Sequence, residues 1–291
     1  MMITSSEVIE ALAQFRDSQL ETWHTAKVNY DALTQCLRKN FTIGKFEGVM
    51  QYNPARKIST AAKVDKDSIR NRPCFLCKEN RPEEQYAEEI TEGWELLINP
   101  YPILPLHFTI AANRHIPQTQ IPLDMATMAE RLPGMVIFFN GARAGASAPD
   151  HLHCQAVMAC ELPLIQYLES GKPVEDLPFD VIYDKVTPDM KGMITLNSMV
   201  LLKGKDGVTG KEDAGLLNAY FWIAADGLLR IAVIPRKAHR PQSYTDTAEG
   251  DGMMVSPGAI DMAGLIVLPR KRDFDNLTSV EIEQIYHDTA W

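Results

Sequence analysis

The chain has 291 residues, 45% hydrophobic and 23% charged, which is enough to bury a sizeable core as one large domain or two small ones. Its formal charge of −9 argues against a nucleic-acid-coating surface and does nothing to draw the chain to anionic membranes. An acidic chain can still hold a small anionic substrate in a local basic pocket.

Residues 1–8 carry neither a basic stretch nor an apolar one, and the longest apolar run, 219–225, is far shorter than the roughly 20 residues a membrane span needs. Five cysteines, two of them in a Cys-x-x-Cys, read as a reduced cytoplasmic protein with thiols available to a metal.

The first element is a helix. Thr4 and Glu7 have capping-box spacing, and Val8, Ile9, Leu12 and Phe15 recur with a helical period. Helical character extends to about Leu37. Residues 41–52 mix glycines with alternating apolar residues and read as a strand ending at Asn53-Pro54. Residues 58–71 read as an exposed loop. Strands follow at 94–99, 107–112 and 135–139, with a short helix at 123–132. Residues 140–150 form a loop with two glycines, and 151–158 form the next strand.

The second half carries fewer chemical marks. A glycine-rich loop is expected at 203–215, strands at 220–225, 229–234 and 264–268, and a last helix at 279–287 capped by Thr278 or Ser279. Residues 108–118 (FTIAANRHIPQ) are echoed at 231–242 (IAVIPRKAHRPQ). The echo suggests two related halves, 1–160 and 161–291, that share one core.

The segment 145–155 reads GASAPDHLHCQ. On a strand, side chains two apart share a face, so His151, His153 and Gln155 form a row approached by a Gly/Ser loop. A neutral imidazole whose other nitrogen is held by a carbonyl can attack a phosphorus atom. A neighbouring amide can donate to the phosphoryl oxygen, and loop N–H groups with the Ser147 hydroxyl can cradle phosphate. A solvated polar strand face is the plainer reading of a lone His-x-His; Gln155, Gly141, Gly145 and Ser147 weigh against it.

These residues resemble the signature of the histidine-triad superfamily, in the branch with His-x-His-x-Gln in place of a third histidine. That branch holds galactose-1-phosphate uridylyltransferase, the diadenosine-polyphosphate phosphorylases and the GDP-hexose phosphorylases. The segments NPYPILPLHFTIA at 99–111, Asn140-Gly141, HLHCQA at 151–156 and SPGA with LPRKRDF in 255–274 are similar to parts of those enzymes. Asp150 departs from the uridylyltransferases, which have a proline there.

The resemblance implies an α+β, HIT-like fold: a largely antiparallel sheet with packed helices, duplicated in degenerate form in the second half. It implies nucleotidyl transfer through a covalent intermediate on His153, with Gln155 steadying the phosphoryl group and Ser147 contacting phosphate. It points to Asn140, Gly141 and Arg56 as substrate-binding residues, with Lys63 as a weaker candidate; Arg143, placed in the same loop, is a substrate contact or a solvated loop arginine. It also implies a structural zinc held by Cys74, Cys77, His115 and His151; by itself a Cys-x-x-Cys is equally compatible with a redox pair or two buried thiols.

The implied donor is an NDP-hexose, GDP best, and the implied acceptor phosphate or a sugar phosphate. A dinucleoside polyphosphate, a hexose-1-phosphate uridylyltransferase reaction, and a zinc-stabilised nucleotide sensor remain alternatives. A zinc-ribbon nucleic-acid module fits the charge poorly. A homodimer is compatible with the sequence. His107, His24, His239 and His287 read as structural or solvated, and residues 270–272 (RKR) as a solvated face.

Overall fold

The computed structural model describes residues 4–56, 68–69, 71–186, 215–245 and 252–291. Lys63 and most of the loops expected at 58–71 and 203–215 lie outside the described residues. The chain is α+β. Two helices, α1 (Ser5–Thr22) and α2 (His24–Asp31), open it. The Thr4 capping box forms: its hydroxyl accepts from Glu7 N, and Glu7 Oε2 accepts from Thr4 N at 2.8 Å. The chain turns once at Trp23 between the helices.

The segment expected as one strand at 41–52 is a hairpin of β1 (Leu37–Ile43) and β2 (Phe46–Tyr52). Gly44, at φ +55°, makes the two-residue turn that the glycine pattern only hinted at. The parallel strand β11 (Leu265–Leu268) joins β2 to complete a small sheet.

The large sheet has eight strands in the order β3-β4-β5-β7-β6-β9-β10-β8, and every neighbouring pair is antiparallel. They are β3 (Glu88–Thr91), β4 (Trp94–Ile98), β5 (His107–Ala112), β6 (Met135–Asn140), β7 (His153–Met158), β8 (Ile182–Val186), β9 (Leu217–Ile223) and β10 (Leu229–Pro235). The echoed segments are β5 and β10 with the loops after them. Each is the second strand of a hairpin, and the two lie on opposite sides of the central pair β7-β6. Because β6 pairs with β9, one sheet runs through both halves of the sequence.

Both faces of this sheet are buried, so its inner strands read as near-continuous apolar runs. On one face α1, α2 and α3 (Met125–Arg131) cover Phe108, Ile110, Ile137, Cys154 and Phe221. On the other, α4 (Pro163–Glu169), α7 (Ser279–Thr289) and the small sheet cover Val136, Phe138, Val157, Tyr220 and Trp222. Each large side chain taken out of water here contributes about 2 kcal/mol. Two short helices, α5 (Ala259–Met262) and α6 (Lys271–Asn276), flank β11. Of the RKR segment, Lys271 and Arg272 are exposed as expected, whereas Arg270 is buried and paired with Asp273 at 2.6 Å. Among the described residues no helix is long and apolar enough to cross a membrane.

Candidate active site

The strand begins two residues later than the spacing suggests. β7 starts at His153, and His151 sits in the bend before it, where His151 N donates to Ala148 O. The two histidines therefore face different neighbours. His153 and Gln155 lie on the sheet face that carries Val157, and cross-strand register places Ala111 beside His153 and Thr109 and Phe138 on either side of Gln155.

Hydrogen bonds settle the tautomer of each ring. His153 Nδ1 lies 2.8 Å from His151 O. A carbonyl only accepts, so Nδ1 carries the proton and Nε2 keeps its lone pair. Burial holds the ring's pKa down to about 4, so it is neutral near pH 7. His151 Nε2 donates to Ala112 O at 2.8 Å, which frees Nδ1.

His107 receives a bond from Ile103 N at its Nδ1 (3.1 Å), so its Nε2 must donate, and it does so to Gln155 Oε1 at 2.7 Å. The Gln155 carboxamide is thereby oriented with its NH2 group turned away from His107. His107 is not packing filler, as its apolar neighbours suggested. The signal that places it beside Gln155 is the β5–β7 register.

A second residue missed in the sequence is Gln118. Its Oε1 accepts from His153 N (2.8 Å), and its Nε2 donates to His153 O (2.9 Å) and Asn140 O (2.8 Å). It clamps the start of β7 to the end of β6, and it belongs to the echoed segment.

The loop after β6 spends several N–H groups internally. Gly141 N donates to Leu217 O, Arg143 N to Gly215 O and Ala144 N to Gly141 O. Gly141 therefore offers no free amide to a phosphate, contrary to the expected cradle. Gly145 has φ +102°, and a Cβ there would lie 2.6 Å from Gly258 Cα, so the loop packs directly on residues 257–258.

Ser147 is exposed beside this loop, and its carbonyl accepts from Arg72. Arg143 is exposed as well, with its Nε against Gly215. Asn140 is buried at 5% exposure; its Oδ1 accepts from Asn218 Nδ2 (3.0 Å) and Ala259 N (2.7 Å). Arg56 donates to Tyr101 O at 2.6 Å, in the turn that precedes His107.

Cys74, Cys77, His115 and His151 come together as one cluster, their ligand atoms all within 4.8 Å of one another. Cys74 Sγ is 3.4 Å and Cys77 Sγ 3.6 Å from His151 Nδ1, and Cys77 Sγ is 3.2 Å from His115 Nδ1. Tetrahedral bonds of the usual Zn–S and Zn–N lengths place neighbouring ligand atoms roughly 3.6 Å apart. Without a cation, burial and the adjacent Cys74 push the Cys77 thiol up to about 11. Two sulfurs and two lone-pair nitrogens turned inward are a donor set suited to a soft or borderline divalent metal. Asp150 Oδ2 lies 3.9 Å from His115 Nε2, and Asp150 Oδ1 pairs with Arg72 at 3.4 Å. The departure from proline at this position thus places a carboxylate behind the cluster.

Residues 15–158 match the sequence profile of a family described as a domain of unknown function, DUF4922. No curated protein matches the sequence. Solved structures of the yeast Ap4A phosphorylase Apa2 superpose on nearly the whole chain. One covers 92% of this chain and 96% of Apa2 with a TM-score of 0.59 at 13% identity. Its complex with Ap4A gives 0.60 at 14% identity over the same shares, and its complex with AMP gives 0.57 at 14% over 93% and 96%.

The chain has the fold of this Ap4A phosphorylase. The HIT-like architecture expected from the His-x-His-x-Gln motif is therefore present. The superposition takes in 92% of the chain, so it includes most of the second half as well as the first.

Proposed function

We propose that the chain is a nucleotidyl phosphorylase working through a covalent nucleotidyl-histidine. The observation that carries this reading is the pair of fixed groups on β7: an unprotonated His153 Nε2 and a Gln155 amide whose oxygen is already engaged by His107.

In the first step the Nε2 lone pair attacks the α-phosphorus. The P–N bond forms as the P–O bond to the leaving group breaks, and the leaving group departs as a phosphate ester or nucleoside polyphosphate. The imidazolium formed keeps its Nδ1 proton on His151 O, which stabilises the positive charge. Gln155 donates to a non-bridging oxygen as charge builds there. In the second step an oxygen of inorganic phosphate attacks the same phosphorus from the opposite side, the P–N bond breaks, and a nucleoside diphosphate leaves. Ser147, Asn140, Arg143 and Arg56 line the approach for the phosphates and the nucleotide.

The donor is a nucleotide joined through a phosphoanhydride to a second group. The sequence motif favours a GDP-hexose. The fold is shared with a phosphorylase solved with Ap4A and with AMP, which favours a dinucleoside polyphosphate at least as well. The metal is proposed to be zinc, held by Cys74, Cys77, His115 and His151. When bound it fixes the Cys loop and His151, and through the His151 carbonyl the ring of His153.

Intact-mass spectrometry after incubation with dinucleoside polyphosphates and nucleotide sugars tests the reading. One donor class leaves a nucleoside monophosphate adduct that phosphate discharges as a nucleoside diphosphate. No adduct and no turnover with any donor supports a nucleotide sensor instead.

His107→Leu removes the donor that turns Gln155. The expected result is a fall in kcat on the order of 10²-fold, as for loss of one oxyanion donor, with KM little changed. Rapid-quench measurement of adduct formation checks it. An unchanged rate means that Gln155 orients without His107.

A further inference from the structure

Arg236 follows β10 and is only 2% exposed. A buried guanidinium is normally paired with a carboxylate. This one makes no ion pair among the described residues. Its donors go to five neutral oxygens: Thr289 O (2.8 Å), Asn218 Oδ1 (2.6 Å), Pro257 O (3.1 Å), Ala238 O (3.0 Å) and His239 O (3.3 Å). Asp261 is buried nearby, but its oxygens are taken by Gly258 N and Val267 N.

The bond to Asn218 continues toward the active site. Asn218 is fully buried, and register pairs it with Asn140 across β6 and β9. Its Oδ1 accepts from Arg236, so its Nδ2 faces the other way and donates to Asn140 Oδ1 (3.0 Å) and Ala144 O (2.9 Å). Ala259 N, an obligate donor, independently requires Asn140 to present its oxygen on this side. Asn140 Nδ2 is then the one polar atom of the side chain without a partner among the described residues, and it is not sealed from solvent. Every amide in the series points the same way, from cation to site.

We propose that Arg236 and Asn218 are positioning residues that deliver positive charge to the substrate's phosphate through the Asn140 amide. The inference rests on the nucleotidyl-transfer reading of the site. The missing counter-ion of Arg236 is the bound phosphate group. Aligned hydrogen bonds polarise one another in a buried setting, so the last N–H of the series is a stronger donor than an isolated asparagine. In a chain of net charge −9 the relay thereby adds a polarised neutral donor to the arginines that line the approach. The relay mirrors the shorter one from Ile103 N through His107 to Gln155. Both end in a carboxamide NH2, one from each side of the sheet's centre.

The experiment compares a nucleoside with its 5′-monophosphate, using adenosine with AMP and guanosine with GMP, by calorimetry. The reading is the ratio of the two dissociation constants. Asn218→Asp keeps the bond to Arg236 but replaces the donor facing Asn140 by an acceptor. It is expected to narrow the ratio by about tenfold, mostly through weaker monophosphate binding. Arg236→Gln, which removes the charge and leaves an amide donor, narrows the ratio in the same direction. Equal weakening of nucleoside and monophosphate, or an unchanged ratio in either folded variant, overturns the relay.

Wild-type protein gives a reading that no folding defect can obscure. The side-chain 15N–H2 signals of both Asn140 and Asn218 shift on adding the monophosphate and stay in place with the nucleoside. A still Asn218 signal refutes transmission from Arg236. A wild type that binds nucleoside and monophosphate equally instead removes the phosphate pocket itself, and with it the proposed function.

Discussion

His153→Ala is expected to abolish the nucleotidyl adduct and to lower turnover by on the order of 10³-fold or more. The backbone of residue 153 is held at both its N–H and its carbonyl by Gln118, so alanine leaves β7 in place. Removal of the ring takes away the lone pair that the His151 carbonyl aims. Nucleotide binding is expected to be retained, because Asn140, Gln155 and Arg56 do not depend on the imidazole for their own partners. Intact mass and steady-state kinetics on the same preparation check this. An adduct of the same mass on the alanine variant would place the nucleophile elsewhere and sink the covalent assignment to His153.

The second large effect concerns the metal cluster. Cys74→Ser together with Cys77→Ser is expected to take bound zinc from about one per chain to a small fraction of that. Structural zinc sites contribute to folding directly, and the melting temperature is expected to fall by on the order of 10 °C. The rate of adduct formation falls too. His151 uses Nδ1 toward the sulfurs, Nε2 toward Ala112 and its carbonyl toward His153 Nδ1. Loss of the sulfurs frees the residue whose carbonyl sets the tautomer of His153. Metal analysis, calorimetric melting and rapid-quench kinetics read the three effects separately. Unchanged metal content in the double variant would rule out the four-ligand site.

The parts of the site legible in the sequence were those carried by local pattern. His153 and Gln155 follow from period-two alternation on one strand, Thr4 forms the capping box its spacing announces, and of the two candidate caps of the last helix it is Thr278 that forms one. The metal cluster follows from a motif resemblance that linked the Cys-x-x-Cys to two histidines.

What stayed hidden depends on register between distant strands. His107 sits at a strand start among apolar residues, and only the antiparallel offset of β5 on β7 puts it against Gln155. Arg236 and Asn218 lie in the half with fewer chemical marks, where an arginine after an apolar strand reads as a surface charge. Gly141 looked like a phosphate cradle because glycine leaves the amide accessible; the pairing with Leu217 that consumes the amide is long-range.

That long-range pairing also governs when the site can exist. Asn140 is held by Asn218 across 78 residues of chain and by Ala259 across 119. The small sheet joins β2 to β11, near opposite ends of the sequence. Contacts of such high sequence separation close large loops and form late in folding. A ribosome-bound chain that has emerged only through β7 therefore carries the proposed nucleophile His153 and the Cys74, Cys77, His115 and His151 cluster, yet has no oriented Asn140 and no wall against Gly145. Nucleotide capture is expected to begin only after synthesis of the last third, which keeps an incomplete chain from being nucleotidylated before it can complete a turnover.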